Sequence, residues 1–181
     1  MTDATVVSDV IAEFQRAIRS PAIGAPRRDV LGQLLELHQN NLEQWNREDA
    51  ARQYADDNRA VAAAKRDIDL LNTKRHELVE AIDAALVAGI EQAPSAPPTT
   101  ESPAMVFDRL SVLVIRIAFT EDVADYADRL PVLYEQLALL QAALEAVFDD
   151  VRAGRRRFVP YQSLKLYGSR SSSRAAGSRH D

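Results

Sequence analysis

Ten polar residues fall at helical spacing on two stretches and on a third apolar one, and together they could hold and protonate a small anion. His38, Asn41, Glu48, Asp49 and Arg52 follow one another at steps of three, seven, one and three within residues 31–52. Lys65, Asp69, Asn72 and Arg75 do so within 65–82, and Asp108 interrupts the apolar run 104–119. At about 100° per residue, each set shares a face with apolar side chains, namely Trp45, Ile68 and Val112. Polar groups on such a face need partners, because burial without hydrogen bonds is costly.

Arg52, Lys65 and Arg75 would hold a phosphate or carboxylate by charge-assisted hydrogen bonds. His38, or Glu48 with a pKa raised by partial burial, is the candidate for proton transfer. Asn41, Asp49, Asp69, Asn72 and Asp108 would complete the ligand-binding set. Trp45 would serve as core or as a platform for a sugar ring. The competing reading is structural. The same groups could pair among themselves as rim ion pairs or as a buried network that sets helix register. Arg75 lies within an apolar seam and demands a carboxylate, which Asp108 or Glu48 can supply.

Several chemistries lack their residues. Cysteine is absent, so there is neither a disulfide framework nor a thiolate nucleophile. Neither internal histidine has Glu three positions before it, as helical dimetal sites require; Leu35 precedes His38 and Thr73 precedes His76. There is no phosphate-binding glycine loop and no Gly-x-Ser-x-Gly elbow. No metal and no cofactor is expected, and the residues leave open whether the protein is an enzyme.

The elements that must position these residues read as helices throughout. Six glycines in 181 residues, much Ala, Leu, Glu, Gln and Arg, and no alternating β-branched runs make an all-α composition. Residues 6–18 form an amphipathic helix ended by Ser20-Pro21. A second helix starts at Arg27 or Asp29. The apolar stripe then changes phase, which predicts a break at Asp56-Asp57-Asn58 and a third helix running to about Ala88. The segment 91–103 is a proline-rich loop. Ser102-Pro103 starts a fourth helix that is apolar around most of its surface and therefore central. The acidic stretch 121–128 continues it or connects it onward. Pro131 opens a fifth helix that Gly154 ends. The segment 158–168 carries aromatic anchors and should pack back.

The expected architecture is an antiparallel helical bundle of four to five main helices with a disordered basic C-terminal tail. Its parts are an N-terminal helix and linker over 1–26, a bundle over 27–168 and a tail over 169–181. The net charge of −5 conceals an asymmetry: residues 152–181 hold eight Lys/Arg against Asp181, so the body carries −12. That balance argues against nucleic acid as a partner of the body. With no signal sequence and no spanning segment in view, a cytoplasmic location is expected.

Four ordered motifs carry a likeness. They are His-x-x-Asn-x-x-x-Trp-x-x-Glu-Asp-x-x-Arg from His38, Lys-Arg-x-Ile-Asp-x-x-Asn-x-x-Arg from Lys65, Ser-Pro-x-Met-x-x-Asp-Arg-Leu-Ser from Ser102, and Tyr-x-x-Leu-Lys-x-Tyr from Tyr161. Together they resemble a bacterial helical family, the domain-of-unknown-function 4254 family, over roughly residues 28–168. The resemblance implies an all-α fold. It also implies a setting in the cell envelope, because members often stand beside genes for envelope glycosyltransferases. It implies no reaction. Where the family more usually has Asn-Asp, this chain has His76-Glu77, and His76 is left out of the site. Two functions follow as expectations. One is a protein that binds, and could act on, a small anionic or sugar-containing ligand of envelope glycan metabolism in a polar interhelical pocket. The alternative is a non-enzymatic helical scaffold that binds a partner such as an envelope glycosyltransferase, or itself.

Overall fold

The computed structural model describes residues 7–19, 29–54 and 56–164. The expected basic tail, 169–181, lies outside the described residues. The helices are α1 (Val7–Arg19), α2 (Val30–Gln53), α3 (Asn58–Gly89), α4 (Pro103–Glu121), α5 (Leu130–Arg152) and the short α6 (Tyr161–Leu164). A 3₁₀ helix, Ala124–Arg129, joins α4 to α5. The acidic segment is therefore mostly a connector. Among the described residues there is no strand, only a parallel bridge between Pro98 and Arg157.

Local chemistry sets the helix ends. The Asp29 side chain caps α2 at the Gly32 amide, 2.9 Å away. Asp57 caps α3 at the amides of Arg59 (2.9 Å) and Ala60 (3.1 Å), which explains the break near residue 57. Ser102 caps α4 and Pro103 occupies its first turn, where a missing N–H costs nothing.

The bundle is up-and-down. α3 runs antiparallel to α4, since Asp83 meets residue 104 while Arg75 meets Asp108. α4 is the central element and packs against α1, α2, α3 and α5. Its buried residues, among them Asp108, Leu110, Ile115 and Ile117, cover about half of its circumference, with Arg109 and Arg116 on the opposite, exposed side. Phe14 of α1, Leu34 and Leu37 of α2, Ile82 of α3 and Leu144 and Phe148 of α5 close the core around it. No helix among the described residues is long and apolar enough to cross a membrane.

The α2–α3 hairpin outreaches this core. On α2 the last buried residue is Asn41, and on α3 the first is Leu78. The stretches between them pair mainly with each other, so Leu70 stands 70% exposed.

After α5, Gly154 takes φ +70° and turns the chain back. Arg157 then pairs with Pro97 and Thr99, and Phe158 buries its ring edge-on against Phe148 at 5.2 Å. A Cβ at Gly154 would meet Ala93 at an ordinary 3.6 Å, so only the backbone opposes substitution. Gly154→Ala should cost about 1 kcal/mol in denaturant unfolding, the penalty of a left-handed conformation for an L side chain.

Candidate functional site

The structure divides the ten polar residues and Trp45 into three places. The first is a buried network between α2, α3 and α4. Arg75 reaches Asp108 with Nε at 2.8 and 3.0 Å from its two oxygens, and its Nη2 closes a second contact to Oδ2. Asn41 Nδ2 donates to Asp108 Oδ1 at 2.8 Å and to Ser111 Oγ at 3.1 Å. Ser111 Oγ lies 2.8 Å from His38 Nδ1. Because Asn41 already donates to Ser111, the consistent assignment has the Ser111 hydroxyl donating to Nδ1, which leaves the imidazole proton on Nε2. His38 Nε2 and Asn41 Oδ1 have no hydrogen-bond partner among the described residues.

His38 has no exposed surface, and its ring lies flat against Phe14 of α1, 4.5 Å between centroids at 7°. Burial pushes its pKa down from 6.5 to about 4, and the nearby Phe14 backbone opposes that shift. A neutral imidazole in a dry, filled site can fix geometry. It cannot exchange a proton with a ligand until α1 moves.

The second place is the exposed hairpin. Lys65 and Asp69 form a surface pair at 3.3 Å, and Arg52 pairs with Asp49 at 3.6 Å. Asn72 is half-buried, and the Thr73 hydroxyl bonds the Asp69 carbonyl. Glu48 accepts from Gln44 one turn earlier, at 3.1 Å. These residues do not converge with the network. The hairpin runs past the core there, so a shared helical face is not a shared pocket.

The third place is a groove of about 680 Å³ at the far end of α4. Trp45 and Asp49 of α2 line it, with Arg116, Phe119 and Thr120 of α4, Val123, Tyr126, Asp128 and Arg129 of the connector, and Val132 and Leu133 of α5. Trp45 stacks on Phe119 at 5.5 Å and 26°. The Arg129 guanidinium sits 4.2 Å above the Tyr126 ring. Arg116 and Asp128 make no ion pair among the described residues. The sequence singled out Trp45 and Asp49 of this set. Arg116 could have been found as a cation four residues past Val112 in an apolar helix. The connector residues left no signal, since they fall between periodic segments.

A further buried carboxylate escaped the motif search. Asp83 of α3 accepts from the Ala104 amide at 2.9 Å and the Tyr161 amide at 2.8 Å, so it ties α4 and α6 to α3. Burial raises its pKa, and hydrogen bonds from Ser102, Ala104 and Tyr161 oppose the rise. Asp83→Asn keeps one acceptor but sets an amide donor against a backbone N–H. It should lower stability by about 1–2 kcal/mol in urea unfolding. Among the described residues, no three His, Asp or Glu gather as a metal site.

A family model described as "Protein of unknown function (DUF4254)" matches residues 32–159. The chain belongs to this family. Searches of curated proteins and of solved structures returned no match. The matched span holds the network and the groove whole, and also Asp83, but not α1. Phe14, which seals His38, therefore comes from outside it.

Proposed function

We propose that this DUF4254 protein is a ligand-binding helical module, and that the site is the groove beside Trp45. The ligand is a small anionic or sugar-containing molecule, and the cell-envelope setting rests on the family resemblance alone. One observation carries the reading: an open groove of about 680 Å³ combines aromatic walls with an Arg116 that makes no ion pair among the described residues. Ligand sites commonly enclose about 300–1,000 Å³ of mainly apolar surface with a few polar groups. In this reading His38, Asn41, Arg75 and Asp108 support the site from behind and do not touch the ligand.

The test is a thermal-shift screen against sugar phosphates and nucleotide sugars, with Trp45→Ala and Arg116→Ala as comparisons. The parent should be stabilised by part of the panel. Both variants should fold and lose that shift. An unresponsive parent would sink the reading.

The scaffold reading has its own support. Val132 and Leu139, seven residues apart on the outer face of α5, are 55% and 64% exposed. Two exposed apolar side chains at that spacing, with Glu135 and Gln136 between them, offer a partner helix two anchor points. Should the screen find nothing, replacing Leu139 with Glu and measuring association with a candidate glycosyltransferase, or with itself, becomes the deciding experiment.

A further inference from the structure

We infer that the groove takes both parts of one molecule, a phosphorylated monosaccharide, with the sugar on the aromatic wall and the phosphate on the arginines. The inference rests on the groove being the site. It specifies which of the two ligand classes the site selects.

The cations come first. The Arg129 guanidinium carbon sits 4.2 Å from the centre of the Tyr126 ring, a cation–π contact that anchors the head group in the groove. Arginine held in that way presents a fork that matches two phosphate oxygens. Arg116 lines the same groove and has no ion pair among the described residues. The same lining carries Asp49 and Asp128, but Asp49 already pairs with Arg52 and neither carboxylate forms an ion pair with Arg116 or Arg129 among the described residues.

The rest of the lining separates a sugar from the other anions. Trp45, backed by Phe119, offers an aromatic surface on which the C–H face of a pyranose can lie. Asp49 and Asp128 border that surface. Carboxylates only accept hydrogen bonds, so they suit the hydroxyls of a sugar and repel a second anionic group. A nucleobase would call for amide or backbone groups to read its mixed donor and acceptor edge, and the lining has no Asn or Gln. A lipid chain would be met by four charged side chains along its path.

Trp45 is the protein's sole tryptophan, so its fluorescence reports on the groove without interference. The experiment titrates the full chain with hexose 1-phosphates of gluco, galacto and manno configuration. Parallel titrations use the free hexoses, inorganic phosphate and uridine monophosphate. At least one hexose 1-phosphate should change the emission saturably, with a Kd at least ten times lower than its free hexose or phosphate gives. Arg116→Ala and Arg129→Ala should each raise that Kd tenfold or more and leave the weak response to free hexose in place. Asp49→Asn should weaken the hexose phosphate and leave phosphate alone unchanged. If a free hexose binds as tightly as its phosphate, the groove reading stands and the two-part inference falls. Equal binding of uridine monophosphate likewise overturns the sugar assignment. If no compound changes either the emission or the melting temperature, both fall together.

Discussion

Replacing Asp108 with alanine should destabilise the bundle by about 3–5 kcal/mol, the cost of breaking a buried ion pair from one side. Asp108 is the node of the network. It accepts from Arg75 and from Asn41, and its side chain is only 11% exposed. Removing it strands the Arg75 guanidinium, which is 28% exposed and can reach water only in part. It also takes from Asn41 one of two hydrogen bonds. Arg75→Met should cost somewhat less, because Asp108 keeps Asn41. The double replacement Arg75→Met with Asp108→Leu should recover most of the loss, since two well-packed apolar groups need no partners. Urea unfolding of the parent, Arg75→Met, Asp108→Leu and the double variant gives the coupling energy. The same set tests the function. A folded double variant that still answers ligand at Trp45 assigns the network to architecture. One that folds and no longer binds would return His38, Asn41, Arg75 and Asp108 to the ligand.

The sequence made the helices legible because each had both a period and an end signal. The Asp57 and Ser102 caps, Pro103 and Gly154 mark boundaries that the structure has within a residue or two. That Arg75 needs a carboxylate, Asp108 or Glu48, was legible for a different reason: a guanidinium in an apolar seam has few partners to choose from, and the structure selects Asp108. The site was harder to read. Helical spacing fixes which residues share a face, but not how far the neighbouring helix extends to cover it. Lys65, Asp69 and Arg52 share faces with Arg75 and His38, yet the bundle ends before reaching them. The groove depends on where the 3₁₀ connector lies against α2 and α4, and nothing in residues 121–129 taken alone specifies that. Phe14 over His38 is a contact between helices joined through residues 20–28, and no local pattern encodes it.

Stability should fall by about 2 kcal/mol between pH 7 and pH 5, and His38 should be the cause. Its pKa drops from 6.5 in the unfolded chain to about 4 in the bundle, because a charged imidazole pressed against Phe14 would lose its water without gaining a carboxylate. Above pH 7 both states hold it neutral, and nothing is lost. As pH falls through 6.5 the unfolded chain takes up a proton that the native protein refuses, so acid favours unfolding. The loss accumulates down to about pH 4, where the native ring also protonates, and reaches about 3 kcal/mol in all. Asp83 works against this at the acid end. Its raised pKa lets the native state bind a proton before the unfolded chain does, so its contribution improves as pH falls. Comparison with His38→Gln separates the histidine from it. Urea unfolding at half-unit steps should show the parent's free energy declining over this interval. His38→Gln, which cannot titrate, should lower the plateau at pH 7 yet flatten the slope below it. A slope that persists in His38→Gln would place the acid sensitivity elsewhere. A flat parent would mean that α1 opens readily enough for His38 to protonate in the folded protein, and the ring beneath Phe14 would then be reachable by a ligand after all.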